Sequence, residues 1–217
     1  MVSCSITVRC RGNQEIGYLM SKQAVSNVSY PVAPGTTALL SIDCQFGFGA
    51  GSWEQVPNAD AAVENLRQAS HAWRECGGAV VHVQTVYTPE RGPSGRITDF
   101  EPRIADALAE GTQAAEAYPD LVLDSDLVGQ LRARNIDTVV VGGLTTPICV
   151  QTTVDGLSMV GLKVILLADA CASQAIGTLS AEQAHAAAVQ RMAYLFAAVE
   201  DTGAFVARVR ALQPAAG

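Results

Sequence analysis

Four short apolar runs, rich in β-branched residues, constrain the fold of this chain more than any other feature. They lie at residues 37–42 (TALLSI), 79–83 (AVVHV), 138–141 (TVVV) and 162–167 (LKVILL). A strand with one exposed face alternates apolar and polar residues, whereas continuous runs are typical of strands buried on both faces. Segments with helical spacing separate the runs. The pattern predicts an α/β fold, with helices on both faces of a mainly parallel sheet.

Residues that begin and end helices support this alternation. Asn58 is a candidate N-cap for a helix that ends at Gly77. A later helix begins near Pro147, and another begins at Ser180, where Gln183 is placed to complete a capping box. The stretch from 88 to 116 is interrupted by prolines and glycines, and we interpret it as a loop at the active site.

Length and apolar content predict one domain. The chain has 217 residues, of which 49% are hydrophobic, enough for one sizeable core. Residues 1–35 are mixed in character and end in prolines and a glycine, so they are interpreted as an N-terminal extension. The predicted domain covers residues 36–217.

The charge pattern excludes several classes of partner. Fourteen Lys and Arg oppose twenty-one Asp and Glu, and no basic stripe forms, so neither nucleic acid nor a membrane is expected as a partner. The N-terminus lacks an apolar stretch of signal-peptide length, which favours a cytoplasmic location. The six cysteines show no C-x-x-C spacing, so no disulfide framework or zinc site is expected.

Ligands of open α/β sheets bind at the carboxyl ends of the strands, which directs attention to the residues after each run. Cys149 follows the third run. With Thr146 as N-cap and Pro147 at the first helical position, Cys149 occupies the third position of a helix. Free N–H groups in that first turn are expected to lower the pKa of the thiol and to bind an oxyanion. The alternative is that Cys149 is a small buried apolar residue.

Two aspartates also follow predicted strands. Asp43, after the first run, is placed to act as the general base for Cys149 if partial burial brings its pKa toward neutrality. A turn aspartate at a strand end is the equally weighted alternative. For Asp169 we favour a structural capping role.

The residues around these positions resemble those of the isochorismatase-like cysteine hydrolases. The resemblance covers about residues 36–206, and its motifs occur in the order of that family. They are DCQFGF at 43–48, GLTTPICV at 143–150, QTTVDG at 151–156, GLKV at 161–164, DACA at 169–172 and a closing helix around His185.

The resemblance implies a three-layer α/β/α domain with a Rossmann-like sheet that assembles as a homodimer or homotetramer. It implies an Asp-Lys-Cys triad that hydrolyses amide-like C–N bonds of small molecules through a thioester. On that basis Asp43 is the base and Cys149 the nucleophile. The resemblance also implies a cis peptide between Leu144 and Thr145, so that the N–H groups of Thr145 and Cys149 form the oxyanion hole.

Three further residues after the first strand are predicted to bind substrate: Gln45, Phe48 and Trp53. The two aromatic side chains are suited to an apolar pocket, although a role in the core is an equal alternative. No metal or other cofactor is predicted, because residues 85–95 contain no histidine where metal-binding members of the family place theirs.

The family lysine has no counterpart in this sequence. Counting back from the following helix places Glu116 at its position, while Lys22 lies in the extension and Lys163 opens a strand behind the site. Our hypothesis is that Glu116 and Asp43 raise each other's pKa, so that one acts as acid and the other as base. The alternative is that Glu116 faces solvent.

Hydrolysis of an amide-like bond through Cys149 is therefore the leading prediction. The absent lysine keeps a second hypothesis open. It is a divergent family member that performs a lyase or isomerase step, or that binds a ligand without catalysis.

Overall fold

The structure is a computed structural model that describes residues 28–49, 55–87, 97–101, 103–116 and 127–212. Its described part contains a five-stranded parallel sheet with the strand order β2-β1-β3-β4-β5. The strands are β1 (Thr37–Ile42), β2 (Ala79–Val83), β3 (Thr138–Leu144), β4 (Lys163–Ala172) and β5 (Ala198–Glu200). The four apolar runs of the sequence form the first four of these strands.

Alternate residues of the central strands enter two separate cores. Leu40 and Ile42 of β1 face a cluster on one side of the sheet, whereas Leu39 packs in a cluster on the other side. Strand side chains point alternately to opposite faces, so both faces of a doubly covered strand need apolar residues. This explains why the runs show no polar alternation.

Helices cover both faces of the sheet. The face that receives Leu40 is covered by α4 (Leu127–Ala133), α5 (Gln151–Met159) and α6 (Ala181–Leu195). The face that receives Leu39 is covered by α1 (Ala59–Glu75) and α7 (Thr202–Arg210). The short helices α2 (Ile97–Phe100) and α3 (Arg103–Ala107) follow β2. The predicted three-layer α/β/α architecture is confirmed.

The chain order places a switch point between β1 and β3. From β1 the chain crosses to β2 on one side, then returns to place β3 on the other side of β1. Loops after β1 and β3 therefore diverge and leave a crevice at their carboxyl ends, where ligands of such sheets bind. The residues after these two strands include Asp43 and Cys149.

Of two predicted N-caps, one makes the expected side-chain hydrogen bonds and the other does not. Ser180 and Gln183 form the expected reciprocal capping box at α6. Asn58 precedes α1, but it adopts a left-handed conformation with φ of 63° and its side chain makes no capping hydrogen bond. Asparagine tolerates this conformation well, so it serves here through its backbone rather than its side chain.

Part of the predicted extension packs on the domain. Val32 is buried in the cluster beneath α1 and α7, and the carbonyl of Tyr30 accepts a hydrogen bond of 3.0 Å from Arg208. Residues 1–27 lie outside the described residues. Among the helices that the structure describes, none is both long and apolar enough to cross a membrane.

Gly143 allows β1 and β3 to approach each other where the crevice begins. Its φ is 136°, and a Cβ atom at this position would lie 2.0 Å from the Ile42 carbonyl oxygen. The β3–β4 register also shifts between Val141 and Gly143. Glycine is required because any side chain would push into the β1 backbone.

We therefore expect Gly143→Ala to destabilise the protein by about 3 kcal/mol or more, because it combines backbone strain with a steric clash. Gly156→Ala is the matched control, since an added Cβ on α5 would meet nothing within 4 Å. The control is expected to gain about 0.5–1 kcal/mol from helix propensity. Urea unfolding measures both, and equal stability of the two variants would contradict this account.

Candidate active site

Asp43 sits directly after β1 in a conformation that turns its side chain into the crevice. Its φ is 45°, a left-handed value that aspartate tolerates better than most residues. Its N–H donates to the Val83 carbonyl at 2.8 Å, and the residue is 2% exposed. A carboxylate at this position is held by β2 and shielded from water.

Thr85 holds the Asp43 carboxylate. Its hydroxyl lies 3.2 Å from both Oδ1 and Oδ2, so the single proton is shared between the two oxygens. Thr85 follows β2, the strand that pairs with β1. No sequence motif singled out this residue, because its role depends on the pairing of two strands far apart in the chain.

Cys149 lies in one π-helical turn, Thr146–Val150, that leads into α5. The N-cap is Thr145, whose carbonyl accepts hydrogen bonds from Ile148 and Val150 at 3.1 and 3.2 Å. The prediction that Thr146 is the N-cap was wrong by one residue, because the wider turn starts earlier. Cys149 thus occupies the fourth helical position and remains within the first turn.

A hydrogen bond joins the Cys149 thiol to the Asp43 carboxylate. Burial raises the pKa of Asp43 to about 6, and the hydrogen bonds from Cys149 and Thr85 limit that rise. Burial, followed by the charge and hydrogen bond of Asp43, raises the pKa of Cys149. At neutral pH the proton therefore resides on sulfur and the negative charge on the carboxylate.

The expectation that the helix start lowers the pKa of Cys149 was wrong in its net direction. The N–H groups of Thr145 and Cys149 do act on the sulfur and lower the pKa, but burial and Asp43 outweigh them. A carboxylate beside a thiol disfavours a second negative charge. The resting site therefore keeps the proton on Cys149, and a thiolate can form only when another group accepts that proton.

The backbone around Cys149 has the predicted shape. The Leu144–Thr145 peptide is cis, and the N–H groups of Thr145 and Cys149 both approach the sulfur. The Thr145 hydroxyl is buried and has no hydrogen-bond partner in the described part of the chain. Two N–H groups that converge near a nucleophile are suited to bind an oxyanion.

Gln45 is buried and its amide is occupied by backbone groups. Its Nε2 donates to the carbonyls of Thr85 and Ala115 at 2.9 and 2.8 Å, and its Oε1 accepts from the Thr85 N–H at 3.0 Å. Gln45 thus ties the segments after β2 and before residue 116 to the end of β1. Contact with substrate stays a prediction for this residue.

Aromatic residues form an apolar wall beside the pair. Phe48, in the 3-10 turn Phe46–Phe48, is 6% exposed and belongs to a cluster with Tyr87, Leu108 and Leu144. This packing supports a core role for Phe48, which was the alternative to substrate binding. Trp53 lies outside the described residues, so its predicted contact with substrate stays a prediction.

Comparison with known proteins assigns the family. The model of the isochorismatase domain matches residues 37–204 of this chain, a segment that spans β1 to α7 and contains both Asp43 and Cys149. The chain belongs to the isochorismatase family.

Individual relatives agree with this assignment. The isochorismatase family protein YddQ of Bacillus subtilis (strain 168) is 26% identical over 184 residues, which cover 79% of this chain and 99% of YddQ. The maleamate amidohydrolase of Pseudomonas putida (strain KT2440) is 26% identical over 147 residues, which cover 60% of this chain and 69% of that enzyme.

A solved structure extends the likeness to three dimensions. The crystal structure of a cysteine hydrolase from Pseudomonas syringae pv. phaseolicola 1448A superposes with a TM-score of 0.77. It is 25% identical and covers 88% of this chain and 99% of that one. The fold of this isochorismatase-family chain is thus shared over nearly the whole of that enzyme.

The structure does not bring Glu116 to the Asp43–Cys149 pair. Its side chain is exposed, whereas its backbone carbonyl accepts a hydrogen bond of 3.0 Å from the Phe46 N–H. Its carboxylate is not among the groups that raise or lower the pKa of Asp43. The position favours the solvent-facing alternative, because the turn before it directs the backbone, rather than the side chain, toward β1.

Lys163 does not take the place of the missing family lysine. Lys163 opens β4 at the end of the sheet opposite the crevice, where its Nζ pairs with Asp137 at 2.8 Å. Lys22 lies outside the described residues.

Asp169 has the structural role that the sequence favours, because its Oδ1 accepts hydrogen bonds from both the N–H and the hydroxyl of Thr202 at 2.8 Å.

His185 supports the start of the nucleophile turn. Its Nδ1 and the Thr146 hydroxyl share a hydrogen bond of 2.9 Å, and burial lowers the pKa of the ring. It also lines a cavity of about 530 Å³ at the carboxyl end of β4, which neither Asp43 nor Cys149 lines. A second cavity, of about 650 Å³, lies between α1 and α7.

The raised pKa of Asp43 predicts how Asp43→Asn changes stability. The folded carboxyl has a pKa of about 6 against an ordinary value of 3.8, so ionisation costs the folded state about 3 kcal/mol above pH 6. That cost fades as the pH falls through the ordinary value of 3.8, below which the carboxyl is mostly protonated in both states. Asp43→Asn removes it, and asparagine also accepts the left-handed backbone.

We expect Asp43→Asn to be more stable than wild type at pH 8, by at most about 3 kcal/mol, and to show no gain at pH 3.5. Urea unfolding at both values measures the difference. Asp106→Asn, at an exposed aspartate, is the control and should show no gain at either pH. A loss of stability at pH 8 in Asp43→Asn would mean that the buried carboxylate is stabilising.

Proposed function

We propose that this isochorismatase-family protein is a cysteine hydrolase that cleaves an amide-like C–N bond of a small molecule through a thioester on Cys149. The observation that carries the proposal is the buried hydrogen bond between the Cys149 thiol and the Asp43 carboxylate. A nucleophile in contact with an oriented base is the arrangement that covalent hydrolysis requires. The names of the relatives, a cysteine hydrolase and an amidohydrolase, agree with this class.

The first half of the proposed reaction forms the thioester. Asp43 accepts the thiol proton while the sulfur attacks the substrate carbonyl carbon. The carbonyl oxygen becomes an oxyanion and accepts hydrogen bonds from the N–H groups of Thr145 and Cys149. When the C–N bond breaks, protonated Asp43 returns the proton to the leaving nitrogen.

The second half releases the product. Asp43 takes a proton from water, whose oxygen attacks the thioester carbon. The C–S bond then breaks, the product leaves as an acid, and Asp43 returns the proton to the sulfur. A pKa of about 6 suits both steps, because Asp43 is largely ionised at neutral pH yet basic enough to accept a proton.

The proposal predicts a covalent adduct. Incubation with a panel of small primary amides, followed by rapid acid quenching, should add the acyl mass to the wild type and release ammonia. Cys149→Ala should lose the adduct and at least 1000-fold in turnover, because a nucleophile cannot be replaced by a methyl group. Intact-mass measurement and an ammonia assay provide the two readouts.

Cys76→Ala is the matched control, because Cys76 is partly buried at the end of α1 and its thiol donates to the Val209 carbonyl. It should retain both adduct and turnover. Turnover that persists in Cys149→Ala would contradict the thioester route. Ligand binding without adduct or turnover on any amide would favour a divergent member that carries out a lyase or isomerase step, or that only binds.

Glu116→Gln tests the remaining acid–base hypothesis. Since the Glu116 side chain is exposed, we expect the pH–rate profile of the variant to superimpose on that of the wild type. A displaced acidic or basic limb would instead assign Glu116 to the proton-transfer steps. Profiles of kcat and of kcat/KM with the most active amide provide the comparison.

A further inference from the structure

We propose that Tyr87 supplies a further polar group of this site, beside Asp43, Cys149 and Thr85. Its phenol O–H donates a hydrogen bond that stabilises the negative charge formed at Cys149 and on the substrate bound there. This inference rests on the proposed function, because it concerns the same thioester chemistry. Tyr87 would thereby take the role that the family lysine has in other members. Lys163 cannot take it, because it lies at the opposite end of the sheet.

The backbone directs Tyr87 toward the site. Tyr87 lies two residues beyond Thr85, whose hydroxyl contacts the Asp43 carboxylate. It forms a parallel bridge with Ala109, so the chain is extended at this point. Side chains two residues apart in an extended segment point to the same side. Tyr87 therefore faces the crevice from the same wall as Thr85.

Packing holds the Tyr87 ring in place. The residue is 8% exposed and packs in the cluster that includes Phe48, Leu108 and Leu144, the last of which directly precedes Thr145. Its N–H donates to the Leu108 carbonyl, and its carbonyl accepts from the Glu110 N–H, both at 2.9 Å. The backbone bonds and the packing of the side chain together restrain the residue, so its hydroxyl loses little conformational freedom when it donates a hydrogen bond.

The phenol also responds to the charges of the reacting pair. Burial, then the charges of Cys149 and of Asp43, raise the pKa of Tyr87. The hydroxyl therefore keeps its proton at neutral pH and acts as a donor, not as an acid that ionises. Together with the packing of Tyr87 in the cluster that contains Leu144, this places the phenol within electrostatic range of the pair.

A neutral donor suits this particular site. An ammonium group would lose much of its hydration in a wall built from Phe48, Leu108 and Leu144, whereas a phenol pays a smaller desolvation cost. Its O–H dipole still stabilises an anion strongly where water is excluded. The alternative is that Tyr87 serves only as an apolar core residue, in which case its hydroxyl would contribute nothing.

Tyr87→Phe separates these alternatives, because it removes the hydroxyl and keeps the ring packing. The matched control is Tyr194→Phe, the same change at a tyrosine that is 62% exposed on α6. Two readouts apply to the full chain. One is the rate at which iodoacetamide alkylates Cys149 at pH 8, followed by peptide mass spectrometry with Cys76 as internal reference. The other is amide turnover.

We expect Tyr87→Phe to slow alkylation of Cys149 but not of Cys76, and to lower kcat by about 10- to 100-fold with a smaller change in KM. Tyr194→Phe should match the wild type in both measurements, and thermal unfolding should show both variants folded. If Tyr87 had a purely structural role, Tyr87→Phe would lower the stability of the protein and change the alkylation rates of Cys76 and Cys149 together. It would not lower kcat selectively.

The two proposals fail in different ways. Wild-type protein that forms no acyl adduct on Cys149 overturns both. An adduct on the wild type, together with Tyr87→Phe rates equal to those of Tyr194→Phe, overturns the role of Tyr87 alone.

Discussion

The buried hydrogen bond between Asp43 and Cys149 is the interaction on which the site depends. Several features of the fold bring the two residues together and orient them. Adjacent pairing of β1 and β3 brings the two strand ends together, and Gly143 permits the close approach. Thr85, two residues after the end of the neighbouring strand β2, orients the carboxylate. Burial raises the pKa of both partners, which keeps the proton on the Cys149 sulfur in the resting site.

Much of this arrangement is predictable from sequence because it rests on short-range patterns. Continuous apolar runs specify strands covered on both faces, and the rule that ligands bind at strand ends selects the residues that follow. This rule selects Asp43 and Cys149, two residues that the structure brings together. The capping box of Ser180 and Gln183 is equally local, since four consecutive residues contain all of its hydrogen bonds.

The remaining features depend on contacts that no local pattern encodes. The wider turn before Cys149 moves the N-cap from Thr146 to Thr145. The orientation of Glu116 depends on how its turn meets the segment after β1. No sequence motif selects Tyr87, the donor that we propose, because its placement depends on backbone hydrogen bonds to residues 108 and 110. The net pKa of the thiol was mispredicted because burial outweighs the helix start.

The proposed role of Asp43 as the base for Cys149 can be tested by measuring the pH dependence of Cys149 alkylation in the wild type and in Asp43→Asn. In the wild type the rate should rise with an apparent pKa near 6, as Asp43 ionises and becomes able to accept the thiol proton. In Asp43→Asn that rise should vanish, leaving only an increase at alkaline pH from the thiol itself. Superimposable profiles for the two proteins would contradict the account.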